Sequence, residues 1–122
     1  MKSALVVAEP GPLRDSLQVL LRVIPQIETV LLADDAWAAL QVFAQHHPAL
    51  VLLDAGLLDH GGLALLETAR IEGARSRCLV LADNVQQCQR AKAGGADVAL
   101  VKGFLAVKLI EHIRRLVAGQ ET

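Results

Sequence analysis

The chain has 122 residues, 53% of them hydrophobic, and a formal net charge of -1. That length holds one domain with a continuous core, and the apolar share excludes a disordered chain. Lys and Arg are spread along the sequence, which speaks against direct contact of this domain with nucleic acid or an anionic membrane.

The first residues carry one charge and a short apolar run, too short for a signal-peptide core or a membrane span, so a cytoplasmic location is expected. Residues 4–8 form an apolar run stopped by Glu9-Pro10-Gly11 and read as a buried parallel strand. Pro12 suits a first helical turn; Leu13, Leu17, Leu20, Leu21 and Ile24 mark one face of that helix, and Pro25 ends it. Residues 29–33 are the second strand. Asp34 or Asp35 is suited to cap the next helix, whose inward side is expected to carry Trp37, Leu40 and Phe43 before His46-His47-Pro48 closes it.

Residues 50–53 are the most apolar strand of the chain and deliver Asp54 at its carboxyl end. A Gly-rich loop follows, then a helix marked by Leu63, Leu66 and Ala69. Residues 78–81 are the fourth strand, residues 85–93 a shorter and more polar helix stopped by Gly94-Gly95, and residues 98–101 the fifth strand. Leu105, Leu109, Ile110, Ile113, Leu116 and Val117 make a last amphipathic helix, and residues 119–122 read as a frayed tail or the start of a linker. Alternating strands and helices predict an α/β doubly wound, five-stranded parallel sheet with helices on both faces. Cys78 and Cys88 fit no metal-ligand or Cys-x-x-Cys spacing and read as buried or half-buried free thiols.

Ligands of open α/β sheets bind outside the carboxyl ends of the strands. Glu9, Asp54, the stretch Ala82-Asp83-Asn84 and Lys102-Gly103 fall there. Carboxylates crowded together need a cation among them. Val6-Val7-Ala8-Glu9-Pro10-Gly11-Pro12-Leu13-Arg14, then Leu50-Val51-Leu52-Leu53-Asp54 with Gly62-Leu63, then Gly95-Ala96-Asp97-Val98-Ala99-Leu100-Val101-Lys102 follow in this order. Together they resemble bacterial response-regulator receiver domains along essentially the whole chain.

The resemblance implies strand order 2-1-3-4-5, a single receiver domain over residues 1–122, and a place as the N-terminal part of a longer regulator. It implies Asp54 as phospho-acceptor, Lys102 as phosphoryl contact, and a weak Mg²⁺ site of Glu9, Asp54 and the main-chain carbonyl of Gly56. A histidine kinase or phosphotransfer protein would be the donor, and weak homodimerisation would use the face of the fourth helix, fifth strand and fifth helix. The stretch through Arg14 most resembles receivers joined to helix-turn-helix output domains, which points to transcription regulation. The domain would be a signalling module, with no enzyme activity beyond its own phosphotransfer and dephosphorylation.

The chain departs from the family pattern in five places. The acidic loop has one acid, Ala8-Glu9, where the family has two. Ala82 stands at the switch position usually held by Ser or Thr, and Ala99 at that of an aromatic residue. Leu58 replaces a loop proline, and Gly103 follows the lysine in place of a proline.

Plainer readings apply to each residue singly. Asp54 would serve as a cap or turn residue, Lys102 as a surface lysine, Glu9 as a loop carboxylate, and Asp83 and Asn84 as turn or N-cap residues. His46, His47, His60 and His112 show no ligand spacing, and Trp37 and Phe43 read as core or half-core. Two other functions compete with the phospho-acceptor. One is a degenerate receiver that docks partners without phosphorylation. The other is a flavin- or nucleotide-binding enzyme, which the lack of a glycine-rich phosphate loop and the aromatic content of two Phe, one Trp and no Tyr disfavour.

Overall fold

The computed structural model describes residues 2–72, 76–103 and 106–118. Five strands, β1 (Ser3–Val7), β2 (Thr29–Ala33), β3 (Leu50–Asp54), β4 (Arg77–Ala82) and β5 (Val98–Val101), alternate with five helices. These are α1 (Pro12–Leu21), α2 (Ala36–His46), α3 (Leu63–Glu72), α4 (Val85–Ala93) and α5 (Ala106–Ala118). The strands form one parallel sheet in the order β2-β1-β3-β4-β5. Leu105 and residues 119–122, named in the sequence reading, lie outside the described residues.

Side chains alternate across a strand, so a strand apolar at every position feeds two cores. Leu5, Val7, Val51, Leu53, Cys78, Val80 and Ala82 face one side, where α2, α3 and α4 supply Phe43, Leu65, Leu66, Ala69 and Ala91. Ala4, Val6, Leu50, Leu52, Leu79 and Leu81 face the other, covered by Leu17 and Leu21 of α1 and by Leu109, Ile113 and Val117 of α5. Each fully buried Leu or Val contributes about 1.5–3 kcal/mol. Helices therefore do cover both faces. Between α1 and α5 a groove of about 590 Å³ stays open, lined by Asp15, Ser16, Val19, Leu20, Val23, Ala106 and Ile110.

Three local expectations need correction. Trp37 is not on the inward side of α2: it is 73% exposed, because Ala36, Ala39 and Phe43 form the buried stripe and the residue after Ala36 turns about 100° away from it. Leu63 is exposed at the start of α3, and Leu65 takes its place in the core. α1 ends at Leu21, before Pro25, and Ile24 is buried from the turn that follows. Asp35 is the cap of α2, accepting from Ala38 N at 2.8 Å, and His47 closes that helix in the left-handed conformation with φ 46°. Pro48 after it cannot continue the helix.

Cys78 is buried and Cys88 half-buried, both as free thiols. Burial, with Asp97 nearby, pushes the Cys78 thiol from 9.0 up to about 12. Cys78 therefore stays unmodified by iodoacetamide in the native chain while Cys88 reacts, as peptide mass mapping will read. The stability of the buried neutral thiol is present below about pH 9 and is lost as pH climbs toward 12. Part of the alkaline fall in melting temperature should vanish in Cys78→Ala.

Candidate functional site

The site forms where β3, β4 and β5 end side by side. β3 stops at Asp54, and the chain turns at once into a short 3-10 turn, Ala55–Leu57, followed by a wide turn, Leu58–Gly62, that leads into α3. The expected Gly-rich loop is a pair of packed turns, held because Leu57 and Leu58 are buried. Gly61 has φ 93°, and Gly62 is buried where a Cβ would lie 2.6 Å from the Leu57 carbonyl oxygen. Only glycine fits at position 62. Leu58, at the place of the family's proline, is a core side chain.

Asp54 Oδ1 accepts from Gly56 N at 3.1 Å, so the carboxylate does cap its turn. It also accepts from Lys102 Nζ at 2.9 Å, which a simple cap does not require. Lys102 reaches it because its backbone N donates to the Ala82 carbonyl at 2.7 Å, fastening the end of β5 to the end of β4. Gly103 follows with φ 96°, a conformation closed to proline, whose ring fixes φ near −65°. The departure from the family's proline is therefore a change of backbone path.

Lys102 Nζ meets a second carboxylate, Asp83 Oδ1, also at 2.9 Å. Its stretch was expected at this edge, but with the role of a turn or cap residue and not as a partner of Lys102. The cap of α4 is Asn84, which accepts from Gln87 N. The available signal was position: Asp83 follows β4 and Lys102 follows β5, and those strands are neighbours with Ala82 opposite Val101. Partial burial opposes the charge on Lys102, but its hydrogen bonds to Asp54 and Asp83 and their negative charges hold its pKa above the ordinary lysine value.

Glu9 lies at the same edge, two residues beyond β1, which pairs with β3 through Val7 and Leu53. It is exposed, and among the described residues no hydrogen bond or ion pair links it to Asp54 or Lys102. Asp54 and Lys102 are thus brought together, while Glu9 shares only the edge. Gly56 is exposed beside Asp54, with its N–H turned to that carboxylate. Among the described residues no three His, Cys, Asp or Glu side chains gather as a metal cluster. Two carboxylates and a carbonyl fit a hard cation that keeps most of its waters.

Ala82 is fully buried and Ala99 half-buried, both on the α2, α3 and α4 side of the sheet. Neither side chain carries a polar atom or a ring, so neither supplies the hydroxyl or the aromatic group of the family pattern.

The sequence profile of the response regulator receiver domain matches residues 4–114. The chain belongs to that family. The receiver is a module of two-component signalling. It is similar to a CheY-like receiver domain protein from Methanospirillum hungatei JF-1, at 24% identity and TM-score 0.84, over 99% of this chain and 97% of that one. A receiver domain protein from Clostridium thermocellum aligns at 18% identity and TM-score 0.84, over 99% and 98% of the two chains. NtrX from Brucella abortus aligns at 25% identity and TM-score 0.81 over 99% of this receiver, which spans 27% of the NtrX chain. No curated protein matches the sequence significantly. No described helix of the receiver is long and apolar enough to cross a membrane.

Proposed function

We propose that this receiver accepts a phosphoryl group on Asp54 from a phosphohistidine of a kinase or phosphotransfer protein. The observation that carries this reading is the 2.9 Å contact between Lys102 Nζ and Asp54 Oδ1 at the strand-end edge. An Asp54 oxygen attacks phosphorus, and the P–N bond breaks with its electron pair returning to the imidazole. The ring carries its own proton and leaves neutral. Lys102 sits where an ammonium meets the charge spread over the phosphoryl oxygens. Glu9, Asp54 and the Gly56 carbonyl would hold Mg²⁺, which supplies charge neutralisation when bound. With one acid at Ala8-Glu9, its affinity is weak.

Exposed Val85 (60%) and Val101 (40%) on α4 and β5 support that face as the output surface and the site of weak self-association. That the receiver spans only 27% of the NtrX chain supports a place within a longer regulator. A second reading, a phosphorylation-independent interaction module, is favoured by Ala82 and Ala99. Intact mass after incubation with acetyl phosphate decides between them. The expected result is a gain of one phosphoryl group with Mg²⁺ and none with EDTA. No gain under any donor and metal condition hands the case to the second reading.

A further inference from the structure

Two carboxylates share the one ammonium of Lys102, each at 2.9 Å. They differ in what else holds them. Asp54 is 24% exposed and tied to its own turn through Gly56 N. The Asp83 side chain is 58% exposed, while its backbone N donates to Gln87 Oε1 at 2.7 Å. Gln87 N in turn donates to Asn84 Oδ1, so the backbone of Asp83 is stitched to the first turn of α4. α4 itself is lightly anchored. Ala91 is its one buried residue, and the ion pair from Arg90 to Asp59 is on the surface.

Resting on Asp54 as the acceptor, we propose that Asp83 is the switch residue of this receiver: a phosphoryl group on Asp54 draws Lys102 away from Asp83, and the freed Asp83 shifts the first turn of α4. With acetyl phosphate, an Asp54 oxygen bonds to phosphorus, the P–O bond to the acetyl group breaks, and acetate leaves with the electron pair. The charge at position 54 rises from one negative unit to roughly two. A lysine ammonium is a mobile point charge on a flexible stem and follows the stronger field. Asp83 is then left beside a larger like charge without its cation. Its exposed side chain has solvent to turn into, and its backbone moves the α4 cap with it.

This route also answers what Ala82 takes away. A switch needs a group whose interaction with the phosphoryl differs between two states. A Ser or Thr hydroxyl provides attraction in one state; here Asp83 provides repulsion in the other.

The test pairs intact mass with amide exchange over residues 85–93, with and without acetyl phosphate and Mg²⁺, in the parent, Asp83→Asn and Asp83→Glu. The parent is expected to label and to exchange faster in the first turn of α4 when labelled. Asp83→Asn should label and lose that exchange difference, and Asp83→Glu should restore it. Raising the salt concentration should shrink the parent's response, since an exposed charge is screened. The inference is overturned, with Asp54 still the acceptor, if labelled Asp83→Asn gives the parent's full difference or the labelled parent gives none. Loss of labelling in Asp83→Asn overturns it as well, by placing Asp83 in the transfer itself. A parent that never labels removes the acceptor reading and this inference together.

Discussion

Asp54→Asn takes up no phosphoryl group under conditions that label the parent. The amide oxygen is a poor nucleophile, yet it keeps the shape of the carboxylate, whose Oδ1 accepts from Gly56 N at 3.1 Å in the parent. Lys102 keeps Asp83 as a charged partner in this variant. Loss of a half-exposed ion pair costs about 1 kcal/mol or less, so the fold persists and the loss is chemical. Lys102→Ala should fail differently, with labelling slowed by roughly a hundredfold because a donor aimed at developing charge is gone. It also leaves Asp54 and Asp83 facing each other without a cation. Intact mass over time separates the variants, and thermal melts confirm that both are folded. Labelling of Asp54→Asn at the parent's rate would show that another residue is the acceptor.

Gly62→Val should give the largest loss of stability among single changes near the site. A Cβ there meets the Leu57 carbonyl oxygen at 2.6 Å and its carbon at 2.9 Å, with a Leu53 methyl at 3.3 Å. The two nearest are backbone atoms, which cannot swing clear as a side chain can. Overpacking of a closed site costs about 1–3 kcal/mol, and a branched residue against backbone belongs at the upper end or beyond. At this chain length that is a fall in melting temperature of roughly 5–15 °C by circular dichroism. Gly11→Ala is the control, since a Cβ there meets nothing within 4 Å. Equal melting temperatures for the two variants would mean that the turns after Asp54 relax freely.

The neighbourhood of Asp54 shows how far a chain can be read without its fold. The run Leu50-Val51-Leu52-Leu53 is apolar on both faces, which only a sheet covered on both sides accommodates, and that sheet is present. Because a parallel strand carries its carboxyl end to one edge, Asp54 and Lys102 were legible as neighbours from spacing and resemblance. Asp83 was not. In the sequence it is one polar residue of Ala82-Asp83-Asn84, with the composition of any turn before a helix. Whether the first or the second of these two polar residues caps α4 depends on where the strand stops and how the backbone turns.

By itself, then, the sequence determined the alternation of strands and helices, the two-sided core and the edge where the charges lie. Those follow from the periodicity of side chains along each element, a local property. Tertiary structure alone decided that Trp37 faces outward, that Gly103 takes a path closed to proline, and that Lys102 is divided between Asp54 and Asp83. Each depends on how separate segments meet in space, where a rotation of about 100° or a shift of one residue changes which group is in reach.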